Sequence, residues 1–368
     1  MTSKWLQVAE ILEEGVASGV YTAAEVLAGR GGNLAYERAV GRLHTGPDAP
    51  AATPEAVFDL ASLTKPLATT LALLLLVQHG RLSLQTRLGE LLPVEWLPPD
   101  KQGLPLTQLL AHRSGLPAWR PFYEAVLALP PEQRPGALER LAAAEPLEHP
   151  PGEATLYSDL GFMLLKAVVE TVAGENLDDF CRRQIYRPLG LLRLGFTPRR
   201  QPGGEELPYP ATEPGLIPQR PGAGEVHDEN AWAAGGVAGH AGLFGTGREV
   251  FRLAAEVYKA FQGTGSGFFD PTLVRTFLTT PPGADRALGF DVPAAFGASC
   301  GRCFSPRSVG HLGFTGVSFW IDLQLGQIVV LLTNRVHLGR NNDKIKPFRP
   351  RLYEAVSRAL GFSHFHRG

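Results

Sequence analysis

Ser62-Leu63-Thr64-Lys65 is the stretch of this chain best suited to covalent chemistry. A serine hydroxyl is a weak nucleophile until a base takes its proton. A lysine three residues later on a helix projects from the same face, one turn along, so its amine can reach the serine oxygen. To act as a base or to depress a neighbour's pKa, that amine must be partly desolvated, and the flanking sequence is apolar. With 13 Ser and 7 Lys in the chain, chance gives ~0.25 Ser-x-x-Lys pairs, and this one is found. Taken alone it also fits a helix N-cap serine with an incidental lysine. Its position, after a strand-like stretch and at the head of an apolar helix, favours chemistry.

Two further stretches carry reactive side chains. Tyr157-Ser158-Asp159-Leu160-Gly161-Phe162 follows Pro150-Pro151-Gly152-Glu153 and opens a helix; in isolation it reads as a core tyrosine with Asp159 as N-cap. Gly310-His311-Leu312-Gly313-Phe314-Thr315-Gly316 leads into a strand, and its glycines leave room for a ligand along a strand edge. In isolation it is a glycine-rich turn with an exposed histidine.

The elements that must position these residues are legible in outline. A helix is expected from a cap at Ser3 to about Gly15–Ser18. A hairpin follows over Tyr21–Ala28 and Leu34–Val40, turning at Gly31-Gly32-Asn33. Val57–Leu60 is extended, the helix entered at Pro66 ends at Gly80, and Leu160–Val172 is helical up to Gly174. Residues 198–226, dense in Pro, Gly and Glu, read as a surface excursion. Val250–Phe261 is helical, Ser318–Asp322 and Gln327–Thr333 are strands, and Leu352–Leu360 is a closing helix. Strands near both chain ends predict a sheet domain built from 1–61 and 285–368, with a mainly helical insertion over 62–284.

Bulk properties exclude some partners. The 35 basic and 36 acidic residues give a net charge of −1, no footprint for nucleic acid or an anionic membrane. No secretory leader is visible, and the apolar run Leu71–Val77 is too short to span a bilayer. A cytoplasmic location is expected, or a periplasmic one for a trimmed mature form. Cys181, Cys300 and Cys303 are too few for a disulfide scaffold. Cys300-Gly-Arg-Cys303 has the spacing of half a zinc site or a redox pair, but reads as a loop with two ordinary thiols. His227, Asp228 and His240 can be drawn as metal ligands; no metal and no cofactor is expected.

Taken in order, the three motifs resemble the serine β-lactamase and penicillin-binding protein superfamily, in its class C-like branch with DD-peptidases, D-aminopeptidases and esterases. Leu109–Pro117, Pro188-Leu189-Gly190 and Leu331–Arg335 are further points of likeness. The resemblance implies an α+β fold, an α/β sandwich with an antiparallel sheet flanked by helices and the inserted helical domain. It implies a nucleophile at Ser62, with Lys65 and Tyr157 jointly handling protons, and His311-Leu312-Gly313 in the place of the family's Lys-Thr/Ser-Gly. Backbone N–H groups of Ser62 and Phe314 would form the oxyanion hole. Asp159, His311, Gly313, Phe314 and Thr315 would face substrate, and Gly239 and His240 would line the cleft. Asp159 stands where the pattern most often has Asn, and His311 where β-lactamases have Lys. A neutral imidazole attracts a substrate carboxylate much more weakly than lysine does, so both departures point away from efficient β-lactam destruction. The expected activity is hydrolysis of a small ester, amide or peptide through an acyl-enzyme. The alternatives are a true β-lactamase, a non-catalytic penicillin-binding sensor and an acyltransferase. The sequence does not specify an oligomeric state.

Overall fold

The computed structural model describes residues 3–196, 207–213 and 222–362. Alternating residues of strands β1 (Ala23–Arg30) and β2 (Asn33–Gly41) pair antiparallel across a turn at Gly31 and Gly32. Both turn residues have positive φ, +61° and +80°, the left-handed pair that a two-residue hairpin needs and that glycine supplies without strain. A short strand β3 (Phe58–Asp59) follows, and then β4 (Gly195–Phe196) and β5 (Leu243–Gly245); these three form a small sheet in the order β3-β5-β4. Strands β6 (Ser308–Leu312), β7 (Ser318–Asp322) and β8 (Gln327–Thr333) complete the main sheet, order β2-β1-β8-β7-β6, with every neighbouring pair antiparallel.

Period-two alternation assigns the strand residues to two cores. Val26 and Ala28 pack with Val8, Leu12, Leu352 and Val356 from the helices Leu6–Ala17 and Ile345–Leu360. Leu27, Ile328 and Val330 face the other way, toward Phe251 of the helix Gly247–Gln262 and the large helical core. The sheet is thus covered on both faces. Its edge strand β6 carries His311.

Ser62 opens a continuous helical run from Ala61 to Gln78, built from a 3₁₀ turn (Ala61–Leu63), a π-helical segment (Lys65–Thr70) and an α-helix (Leu71–Gln78). The run is longer than its most apolar part. By length and composition it could cross a membrane, yet 83% of it is buried inside the fold as a core helix. A wide π turn at Lys65 is the kind of irregularity that gathers at functional sites.

Three local expectations need correction. The first α-helix starts at Leu6 with Trp5 at the cap position and no side-chain cap. The last helix starts at Ile345, well before Leu352, because Pro347 falls in its first turn, where proline costs nothing, and Pro350 is tolerated inside it. Of the expected excursion, 198–206 and 214–221 lie outside the described residues. The remainder is tied down: Val57 N–H donates to Pro208 O, Ala211 N–H donates to Leu43 O, and Leu207 is buried.

Candidate active site

The turn that presents Ser62 is held under strain. Ala61, just before it, has φ +46°, a left-handed conformation costing of order 1–3 kcal/mol for a residue with a Cβ. Asp59 stabilises it from below. Its Oδ1 accepts from Ala61 N–H at 2.8 Å, its Oδ2 accepts from His227 N–H at 2.7 Å, and its backbone oxygen accepts from Thr315 Oγ–H at 2.9 Å. One buried aspartate therefore joins the Ser62 turn, the 227 segment and the end of the edge strand. Sequence reasoning missed Asp59, although its place three residues before Ser62 was a signal.

Lys65 is fully buried, and its Nζ donates to Ser62 Oγ and to His240 O, both at 3.2 Å. The same ammonium forms an ion pair with Asp159 Oδ1 at 2.6 Å and lies 4.8 Å from the centre of the Tyr157 ring. Burial pulls the Lys65 pKa down, but the Asp159 carboxylate and the Tyr157 phenol reverse that and hold it above the ordinary lysine value. Lys65 rests as a cation. Tyr157 moves up: burial raises its phenol, and the nearby Lys65 charge only partly offsets this.

Asp159 reaches Lys65 because it is the first residue of the helix Asp159–Ala173, whose N-cap is Ser158 and not Asp159. Ser158 Oγ accepts from Gly161 N–H and donates to Pro117 O. Tyr157 is braced by His112, a second non-glycine residue with positive φ (+56°), whose ring packs 4.6 Å from the Tyr157 ring. His112 Nδ1 accepts from Ser158 N–H at 3.0 Å, so its proton is on Nε2. Burial and the charges of Lys65 and Arg286 push its pKa well down, so it stays neutral. On the far side, the Arg286 guanidinium lies over the Tyr157 ring at 5.2 Å and is paired with Asp291. Neither His112 nor Arg286 was singled out for chemistry in the sequence. His112 sits in a stretch marked only as a likeness; Arg286 gave no signal.

The edge strand supplies the opposite wall. Gly313 closely approaches the Ser62 turn: a Cβ there would lie 3.0 Å from Leu60 O, 3.3 Å from Ala61 Cβ and 2.4 Å from Val317. Only glycine lets the strand come this near. Next to it, Phe314 is half exposed, its ring stacked on His227 with Arg335 beneath at 4.8 Å. Among the described residues, the N–H groups of Ser62 and Phe314 have no internal acceptor, as a developing oxyanion requires of its donors. His311 is buried. Its Nδ1–H donates to Leu312 O at 2.8 Å, which leaves Nε2 as an unpartnered acceptor, and burial lowers its pKa. It is a neutral imidazole, 5.9 Å ring to ring from Tyr157.

Not every expected residue faces the cleft. Thr315 gives its hydroxyl to Asp59, away from substrate. Gly239 O accepts from Thr69, and His240 is buried behind the wall with Nε2 3.0 Å from Asp228 Oδ1. Ala241 lines the cleft in their place. The open space is about 390 Å³, with Ser62, Tyr157 and Asp159 at its base and Trp119, Asp228 and Phe314 around it. Donor atoms of Asp159, Asp228 and His240 lie within 4.8 Å of one another, near enough to share a cation. The Lys65 ammonium already supplies that positive charge to Asp159. Cys181, Cys300 and Cys303 are buried and lie away from this space.

Comparison with known proteins agrees with this geometry. The family model described as Beta-lactamase matches residues 8–349. A Salmonella paratyphi A (strain ATCC 9150 / SARB42) protein named "Putative D-alanyl-D-alanine carboxypeptidase" is 33% identical over 323 residues, covering 80% of this chain and 73% of that protein. The crystal structure of SurE with D-Leu superposes with a TM-score of 0.72 at 24% identity, covering 96% of this chain and 76% of that one. EstCE1, a hydrolase with promiscuous acyltransferase activity, gives 0.68 at 23% identity, covering 95% and 98%.

Proposed function

The chain belongs to the beta-lactamase family and is a serine hydrolase that works through an acyl-enzyme; on that premise we propose that Ser62 is its nucleophile and Tyr157 and Lys65 its proton-handling pair. The observation carrying this reading is the 3.2 Å contact between Lys65 Nζ and Ser62 Oγ at the base of an open cleft.

Ser62 Oγ attacks the carbonyl carbon of an ester or amide as its proton passes to the phenol–lysine pair. Because Asp159 holds Lys65 as an ammonium and burial keeps Tyr157 a phenol at rest, attack proceeds from the form of the pair that has already released one proton to solvent. The acceptor is then the Tyr157 phenolate oxygen, its charge offset by Lys65 on one side and Arg286 on the other. The carbonyl oxygen becomes an oxyanion between the N–H groups of Ser62 and Phe314; one such donor is typically worth about 3 kcal/mol of barrier. Collapse breaks the bond to the leaving group, which departs with the proton taken from Ser62. Water then attacks the acyl-enzyme, gives a proton to the same pair, and releases the acid and the free serine. His112 keeps Tyr157 in place without taking part in proton transfer.

The substrate is a small ester, amide or peptide. Ser62→Ala should abolish hydrolysis of a p-nitrophenyl ester while leaving the thermal melting curve unchanged. Activity retained in that variant would refute the reading.

A further inference from the structure

The charges bordering the cleft are unevenly committed. Among the described residues, each nearby cation already has its partners. Lys65 is paired with Asp159, and Arg340 is paired with Glu213 at 2.9 Å and Glu229 at 2.6 Å. Arg286 is paired with Asp291, and Arg120, next to Trp119, with Glu145 and Glu148. Arg335 is buried under Phe314 and donates to the backbone oxygens of Phe314, Arg340 and Asn342. His311 is neutral and offers a lone pair. The carboxylates differ. Asp228 Oδ1 accepts from Ala231 N–H and faces His240, and Asp159 Oδ1 faces Lys65, but the second oxygen of each has no partner among the described residues. Both residues line the cleft, and donor atoms of the two lie within 4.8 Å of each other.

Building on the serine-hydrolase reading, we infer that this cleft selects acyl donors bearing a primary ammonium group beside the scissile carbonyl, with Asp228 and Asp159 as its anchor. The placement fits. Asp159 Oδ1 is 2.6 Å from Lys65 Nζ, which is itself 3.2 Å from Ser62 Oγ. The carboxylate is therefore no farther from the nucleophile than those two links laid end to end, and an α-amino group is two bonds from the carbonyl carbon. Asp228 is available as an anion: burial pushes its carboxyl up, but the charge and hydrogen bond of His240 hold it well below the usual range. The exposed indole of Trp119 adds a surface that also attracts cations. A substrate carboxylate finds no uncommitted cation here and meets two negative groups. The class is thus α-aminoacyl esters and amides, in preference to acyl donors with a free carboxylate at that position.

The test is a binding comparison on the full-length Ser62→Ala protein, using alaninamide of either hand, N-acetylalaninamide and methylmalonamate, which carries a carboxylate in place of the α-ammonium, by calorimetry. Alaninamide should bind at least tenfold more tightly than N-acetylalaninamide, with methylmalonamate weakest. The preference should shrink on going from low to high salt. Adding Asp228→Asn, which keeps the hydrogen bonds to Ala231 and His240, should bring the two amides within about threefold of each other. Equal or tighter binding of methylmalonamate, or no preference between the amides at low salt, overturns the inference. Binding is read without turnover, so the inference can fail while Ser62 remains the nucleophile, and the reverse; the salt series decides it should the double variant not fold.

Discussion

Lys65 and Glu25 are both sealed from solvent, yet they rest in opposite charge states. Glu25 lies on β1, an interior strand of the main sheet. Its Oε2 accepts one hydrogen bond, from Gly247 N–H at 3.1 Å, and its Oε1 has no partner. Burial, aided by repulsion from Glu37, raises its pKa to about 9, so it is a neutral acid at pH 7. Lys65 suffers the same desolvation but has a carboxylate at 2.6 Å, two oxygen acceptors and an aromatic face. Burial decides the charge of Glu25; at Lys65 a specific partner overrules burial. Of these two hidden groups, the one with a counter-charge beside it keeps its charge and the one without is neutralised.

The largest effect should come from breaking the charged end. Lys65→Ala removes the cation that offsets the Tyr157 oxygen and should lower kcat/KM by ~10²–10⁴-fold, read on any ester that the wild type turns over. Glu25→Gln, at an equally buried position, should leave kcat/KM within about twofold. Its effect belongs to stability. The folded pKa of Glu25 lies above its ordinary 4.5, so the unfolded chain releases this proton first as pH rises. The stability present below pH 4.5 is then lost toward pH 9, by at most ~1.4 kcal/mol per pH unit. The Gln variant cannot titrate, so denaturant unfolding between pH 5 and 9 should show a flatter profile than wild type. An unchanged slope would mean that Glu25 is not the group responsible.

A smaller change sharpens the contrast from the other side. Asp159→Asn takes the counter-charge from Lys65 and removes a negative neighbour of Tyr157. Both pKa values should fall, so the limb of the pH–rate profile on which the pair loses its proton moves to lower pH. It reports the coupled pair and not either residue alone. A limb that stays in place would show that Asp159 does not set the state of the pair.

How much of this was legible beforehand follows from sequence distance. Ser62 and Lys65 are one helical turn apart, so local geometry brings them together. The hairpin and the strands near both ends were readable from alternation and turn chemistry. Tyr157 entered through a motif. Its supports, His112 and Arg286, and Asp59 behind the Ser62 turn, come from separate parts of the chain, and no local periodicity marks them. Asp159 was noticed for what it replaces, but its ion pair with Lys65 joins two helix starts 94 positions apart, a contact that exists only once the core has packed. Thr315 was expected to face substrate only through the family resemblance, and tertiary packing turned it inward to Asp59.

The central claim is that the acyl group is carried on Ser62 with Lys65 and Tyr157 beside it. Intact-protein mass spectrometry after exposure to a fluorophosphonate or a penicillin, followed by peptide mapping, tests it most directly. The account predicts a single adduct on the peptide containing Ser62, absent from Ser62→Ala. An adduct mapped to any other residue, or one that persists in that variant, would contradict it.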